Sequence, residues 1–209
     1  MTSPSYALLV PVKDSRSAKT RLGVGSDGQR ARLMEAFARD SIAAALECPL
    51  VRVFVVGDTA FLGDTATAVR ALPDEGGGDL NRALVRAADR LRAEAVAVPL
   101  GIAVMLADLP CLRSADLDAA LVSVVGRSHV PDAAGTGTTL LVAPAGSELD
   151  PRFGPGSSSA HTRSGAVAIG SDLASLRLDV DTTDDLEEAL SFGVGASTAE
   201  LVARSDPMR

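Results

Sequence analysis

Seven consecutive residues near the start of the chain, Tyr6 to Val12 (YALLVPV), carry no charge. An unbroken apolar run of this length fits a strand covered on both faces, as in a parallel sheet flanked by helices, rather than a strand with one wet face. The rest of the chain repeats the arrangement. Ser26 with Gln29 three residues on forms a capping-box pattern ahead of a helical stripe of Leu33, Met34, Phe37, Ser41, Ile42, Ala45 and Leu46. VRVFVVGD (Val51–Asp58) and VRALPD (Val69–Asp74) read as strands, and LNRALVRAADRL, after the triplet Gly76–Gly78, has helical spacing. IAVML (Ile102–Leu106) is another apolar strand, and Ser114 is placed to cap a helix from Ala115 to about Val125. TTLLVAP (Thr138–Pro144) is β-branched and strand-like, and LRLDVDT precedes an acidic helix start, TDDLEEAL. This alternation predicts an α/β three-layer sandwich with a mostly parallel sheet and right-handed crossovers. The Thr138 strand falls outside the alternation, so the sheet is expected to be mixed. A chain of 209 residues fits a single domain, 1–209.

Composition narrows the function. The net charge of −7 argues against general nucleic-acid binding, which needs a basic surface to displace counterions from phosphates. Cys48 and Cys111 have neither a CxxC spacing nor nearby histidines, so no zinc site or disulfide framework is indicated. The apolar stretch AEAVAVPLGIAVMLADLP is broken by Pro99 and ends in acid, too short to span a bilayer. With no basic, apolar leader pattern, a cytoplasmic location is expected.

In such folds ligands bind beyond the carboxyl ends of the strands. After the first strand comes VPVKDSRSAKTRLG, with Lys13, Arg16, Lys19 and Arg21 inside nine residues. On charge counting alone this is a solvated basic loop; its position makes it an anion site suited to a polyphosphate. The GxxxxGK[ST] order of a P-loop is absent. Carboxylates follow the later strands. Asp108 ends an apolar run at LADLP, and Asp179 and Asp181, two apart, would face the same way in a strand. Hard cations such as Mg2+ are held by one or two carboxylates while phosphates supply other ligands. The competing reading is that these acids cap turns and helices. It suits Asp184 and Asp185 well and Asp179 poorly, since an acid inside a strand is disfavoured.

LPDEGGGDLNRAL sets three glycines before a helix, with Asp79 or Asn81 near its start, and suits close approach to a nucleotide as well as a plain flexible turn. AGTGTTLL is hydroxyl-rich, and in FGPGSSSAH either Ser157 or Ser158 is placed to cap a helix running towards His161. GxSxG, HExxH and a Cys/His pair are all absent, and His129 and His161 stand isolated in sequence, which leaves nucleophilic catalysis without support. A phosphate nucleophile, with its second pKa of about 6, needs no general base at neutral pH. Cations, metal-binding acids and few bases together point to phosphoryl or nucleotidyl transfer.

These residues resemble the guanylyltransferases of deazaflavin coenzyme F-420 biosynthesis, which act on 2-phospho-L-lactate or phosphoenolpyruvate. VPVKDSRSAKTRL, LPDEGGGDLNRAL, LADLPCL, GTGTTLL, RFGPGSSSAH and LDVDTTDDL occur in that order along nearly the whole chain. The resemblance implies a nucleotide-diphosphate-sugar transferase-like fold. It assigns Lys13, Lys19 and Arg21 to the triphosphate of GTP and the loop with Asn81 to the guanosine. Asp108, Asp179 and Asp181 are assigned to one or two Mg2+ ions, and Thr139, Gly154 and Ser157 to a phosphorylated three-carbon acid. Lys13, Lys19, Asp108 and Asp181 would then carry the catalysis. Where Thr139 stands the family often has Asn, so a contact made there by an amide falls to a hydroxyl. The Ala- and Arg-rich composition looks bacterial, and bacterial members are associated with phosphoenolpyruvate; 2-phospho-L-lactate and 3-phosphoglycerate are the alternative acids. The product would pass to a deazaflavin transferase, and a homodimer is left open. Two other classes compete. DVD also matches the DxD of metal-dependent glycosyltransferases, although it stands near the chain end, and a non-catalytic nucleotide-binding module would need no turnover.

Overall fold

The computed structural model describes residues 6–12, 26–94 and 100–205. Strand β1 (Tyr6–Val12) lies inside a seven-stranded sheet, paired in parallel with β2 (Val51–Gly57) on one side and β4 (Gly101–Met105) on the other. Beyond β2 lies β3 (Arg70–Leu72), also parallel, and beyond β4 the order continues through β6 (Thr138–Ala143), β5 (Ser128–Pro131) and β7 (Val167–Ala168). Both β4 and β5 run antiparallel to β6, while β7 is parallel to β5, so among the described strands β6 alone is reversed. The mixed sheet expected from the late Thr138 strand is the one observed.

Burial explains the unbroken apolar run in β1. Leu8 and Val10 point into a core with Ile42, Ala45, Leu117 and Ala120, from α1 (Asp27–Leu46) and α3 (Ser114–Val122). Ala7 and Leu9 point the other way, against Leu84, Ala87 and Leu91 of α2 (Leu80–Glu94). A third cluster joins Leu33 and Phe37 of α1 to Leu178, Val180 and the helix α6 (Thr183–Phe192), with Leu201 and Val202 of α7 (Ala196–Ser205) packed against it. The shorter helices are α4 (Ser157–Arg163) and α5 (Ala174–Arg177). Among the described residues no helix is long and apolar enough to cross a membrane.

Several local expectations shift. Helix α3 starts at Ser114 with Arg113 in the capping position, and it stops at Val122, where the Ser123 hydroxyl turns back to the Ala120 carbonyl at 2.8 Å. Strands β5 and β7 carry too little pattern to read from sequence: one is four residues ending in proline, the other two exposed residues at the sheet edge. LDVDT is not a sheet strand. Its Val180 N–H bonds instead to the Asp108 carbonyl at 3.0 Å.

Candidate active site at the carboxyl edge of the sheet

Strands β1 and β4 end at the same edge, and the reversed β6 begins there. Leu106 prolongs the β4–β6 ladder by donating its N–H to the Thr139 carbonyl at 3.0 Å, and Asp108, only 7% exposed, follows two residues on. Its carbonyl takes the Val180 N–H, which lays the 178–181 segment across the end of β4. The alternation inferred from sequence survives without a strand: Val180 is buried in the core, and Asp179 and Asp181 on either side of it are partly exposed. Asp185 fixes the next link. Its Oδ2 accepts the N–H of Asp181 at 3.0 Å and of Thr182 at 2.8 Å, while Thr182 Oγ1 accepts the Asp185 N–H, a capping box at the start of α6.

Asp108, Asp179 and Asp181 thereby converge, each offering a carboxylate oxygen within 4.8 Å of the others. Three like charges at that spacing repel, and a divalent cation among them offsets the repulsion. An all-oxygen, all-carboxylate donor set is the kind that suits Mg2+. The residues present fit such an ion.

The neighbouring wall is built from two loops. Asp132, at the end of β5, folds its carboxylate back onto the N–H groups of Thr136 (2.8 Å) and Gly137 (2.6 Å). Gly137 has to be glycine, because a Cβ there would lie 2.4 Å from Asp132 Oδ2. The second loop, leading into α4, joins the first through the Ser158 N–H, which donates to the Thr136 carbonyl at 3.1 Å. Within it Gly154 has φ +140° and open space where a side chain would stand, so a ligand can approach its backbone. Gly156, in the left-handed region at φ +71°, occupies the capping position of α4. Ser157 and Ser158 are therefore the first helical residues rather than its cap, and both are buried.

Asn81, expected near the guanosine, spends its amide on the second loop: Nδ2 donates to the Phe153 carbonyl at 3.0 Å and Oδ1 accepts the Phe153 N–H at 2.8 Å. Thr139 is fully buried, its hydroxyl 3.4 Å from the Val130 carbonyl, and so lies behind the site surface. In the glycine triplet, Gly76 is required by packing, since a Cβ would meet the Asp79 carbonyl at 2.2 Å and Ala83 Cβ at 2.8 Å. Asp79 Oδ1 accepts the Arg82 N–H at 3.1 Å at the start of α2. Lys13, Arg16, Lys19 and Arg21 lie outside the described residues. His129 and His161, far apart in sequence, stand with ring centroids 5.7 Å apart beneath the second loop.

Sequence reasoning passed over Asp132 and Ser41. The first carries a readable signal, an acid just ahead of AAGTG where a side chain can mimic a turn. The second shows only as a hydroxyl on the apolar stripe of α1, with its partners 66 and 68 residues away.

Comparison with known proteins places this site in context. Residues 6–205 match the family described as "Guanylyl transferase CofC like". A phosphoenolpyruvate guanylyltransferase of Streptomyces coelicolor is 46% identical over 206 residues, covering 95% of this chain and 96% of its own. One from Salinispora arenicola is 42% identical, covering 97% and 95%. Among solved structures, a protein of Desulfovibrio desulfuricans assigned to the nucleotide-diphospho-sugar transferases superposes with a TM-score of 0.70. It is 18% identical and covers 97% of this chain and 96% of its own. 4-diphosphocytidyl-2C-methyl-D-erythritol synthase gives 0.59 at 15% identity, covering 91% and 99%. At these identities the structural likeness concerns the fold, which is the nucleotide-diphosphate-sugar transferase-like sandwich expected from sequence.

Proposed function

Because the chain belongs to the CofC-like guanylyl transferase family, we propose that it transfers GMP from GTP to the phosphate of phosphoenolpyruvate, giving enolpyruvyl-2-diphospho-5'-guanosine and pyrophosphate. The observation that carries this reading is the convergence of Asp108, Asp179 and Asp181 at the edge of the sheet where β1 and β4 end. The acid follows the name shared by the relatives from Streptomyces and Salinispora.

In the reaction a phosphate oxygen of the acid attacks the α-phosphorus of GTP. The new P–O bond forms as the bond to the β-phosphate oxygen breaks, and pyrophosphate leaves with the bonding electron pair. The attacking phosphate is already ionised at neutral pH, so no side chain has to accept a proton. This accords with His161, beneath the second loop, being buried and held neutral. Mg2+, in one or two copies held by Asp108, Asp179 and Asp181, would supply neutralisation of the triphosphate charge. Lys13, Lys19 and Arg21, which follow Val12 in sequence, serve the same anion. Gly154 and Ser157 border the acid, with Gly154 leaving its backbone open to the ligand. Asn81 acts at one remove, by fixing Phe153 next to Gly154. The product is an activated diphosphate ester, suited to hand its phosphoenolpyruvate group to a deazaflavin acceptor in coenzyme F-420 biosynthesis.

The test is pyrophosphate release from purified protein with GTP, Mg2+ and one acid at a time. Release with phosphoenolpyruvate is expected; silence with phosphoenolpyruvate, 2-phospho-L-lactate and 3-phosphoglycerate alike would end the proposal. Asp108→Asn and Asp181→Asn should each lower kcat by at least about a hundredfold while circular dichroism stays unchanged, the scale on which loss of a preorganised charge contact acts.

A further inference from the structure

Ser41 is fully buried on α1, and its hydroxyl makes the back-bond available to any helical serine, to the Phe37 carbonyl four residues earlier at 2.8 Å. It also reaches across to the loop beyond β4. The Leu109 N–H donates to Ser41 Oγ at 3.1 Å, and the Ala107 carbonyl lies 3.1 Å from the same oxygen. One hydroxyl hydrogen is thus shared between two carbonyls while a lone pair takes the amide. The residues it touches, Ala107 and Leu109, bracket Asp108. The peptide unit that follows Asp108 is held at both ends, its N–H by Ser41 and its C=O by Val180, which stands between Asp179 and Asp181.

We propose that Ser41 is a positioning residue for the divalent-cation site: its hydroxyl sets the backbone of Asp108 so that this carboxylate meets those of Asp179 and Asp181. The inference rests on the reading of these three acids as cation ligands. An alanine at position 41 would satisfy the helix equally well. What it could not do is accept the Leu109 N–H, which belongs to a fully buried residue and would be left without a partner. The peptide unit would then be held through the Asp108 carbonyl alone, and the backbone that aims the Asp108 carboxylate would be less firmly fixed. Changes to groups that orient a metal ligand weaken metal binding by about 10- to 100-fold. The neighbouring residue on α1 shores up the same region, since Asp40 holds the Ser197 and Thr198 amides and the adjacent Gly195 N–H bonds to the Pro110 carbonyl.

The experiment is Mn2+ titration of the full chain without nucleotide, followed by the electron paramagnetic resonance of free Mn2+, alongside the Mg2+ dependence of pyrophosphate release. Ser41→Ala is expected to raise the Mn2+ Kd by about tenfold and the Mg2+ activation constant in parallel. Ser41→Thr, which keeps the hydroxyl, should stay close to the parent in both. Ile42→Val, which removes one methylene from the adjacent buried residue, should lower Tm and leave Mn2+ affinity alone, separating positioning from general loss of packing. A folded Ser41→Ala with the parent's Mn2+ affinity overturns the inference. Should Ser41→Ala not fold, Ser41→Cys, of similar size but a poor acceptor, takes its place under the same criterion. Asp108→Asn distinguishes the two levels. If it too binds Mn2+ like the parent, or if the parent binds none, the cation reading fails; if Asp108→Asn loses binding and Ser41→Ala keeps it, only the role of Ser41 fails.

Discussion

The backbone N–H of Arg152 donates to Nε2 of His161 at 2.9 Å, and Nδ1 of the same ring lies 2.9 Å from Thr138 Oγ1. An N–H donor at Nε2 requires a lone pair there, so the ring is neutral with its proton on Nδ1, donated to Thr138. Protonation would set two N–H groups against each other at the start of the loop that carries Gly154. Burial, reinforced by the charges of His129 and Arg127, pushes the His161 pKa down to about 4. Burial lowers that of His129 as well. The unfolded chain takes up these protons near pH 6.5, and the folded chain does not take up that of His161 until about pH 4. Stability is therefore complete above pH 6.5 and falls as pH drops through the window from 6.5 to about 4, by up to about 1.4 kcal/mol per pH unit for His161. Urea unfolding at pH 7 and pH 5 should show His161→Gln less stable than the parent at pH 7 but with a shallower loss on acidification. Equal losses in the two proteins would show that the folded parent already carries the proton.

At the scale of elements, acids reach across the fold to hold helix starts that their own segments cannot hold. Asp40, buried in the middle of α1, accepts the N–H groups of Ser197 (2.8 Å) and Thr198 (2.9 Å) at the start of α7. Gly195 leaves room for it, since a Cβ there would sit 2.4 Å from the carboxylate carbon. Asp116 does the same for α5, accepting from the Ser175 N–H at 3.1 Å and hydroxyl at 2.6 Å. Removing such a cap costs about 1–2 kcal/mol, so Asp40→Ala is expected to lower the unfolding free energy by that much, read in urea as a lower midpoint at constant m-value. Asn81 plays the corresponding part between loops, with both ends of its amide on the Phe153 backbone. Asn81→Ala should raise KM for the acid more than KM for GTP in steady-state assays; a selective rise in KM for GTP would return Asn81 to the nucleotide side of the site. Capping from within a segment was legible, as in Ser26 with Gln29, because both partners fall within one turn. Capping by Asp40 and Asp116 was not, because nothing local distinguishes them from solvated acids.

At the scale of the whole molecule, the sheet divides into a parallel half, β3-β2-β1-β4, and a half containing the reversed β6, and the candidate site lies where they meet. The division sets where the protein is sensitive. Leu8 at the centre is fully buried, and Leu8→Ala should cost about 3–5 kcal/mol in denaturant unfolding, whereas Val167→Ala on the edge strand, 52% exposed, should change stability by less than about 0.5 kcal/mol. Comparable losses at both would mean that the edge carries more of the packing than its exposure implies. The sequence by itself determined the layers and the class of chemistry. Apolar runs covered on both faces require helices on each side of a sheet, and aspartates placed at the ends of such runs need something polar or cationic to face. Which strands pair, that the 178–181 segment docks on the Asp108 carbonyl outside the sheet, that Asn81 serves Phe153 and that Ser41 brackets Asp108 were decided by tertiary structure alone. Each of these is a hydrogen bond between groups tens of residues apart, and a buried donor takes whatever acceptor the assembled fold brings within 3 Å, a choice that no local pattern of side chains encodes.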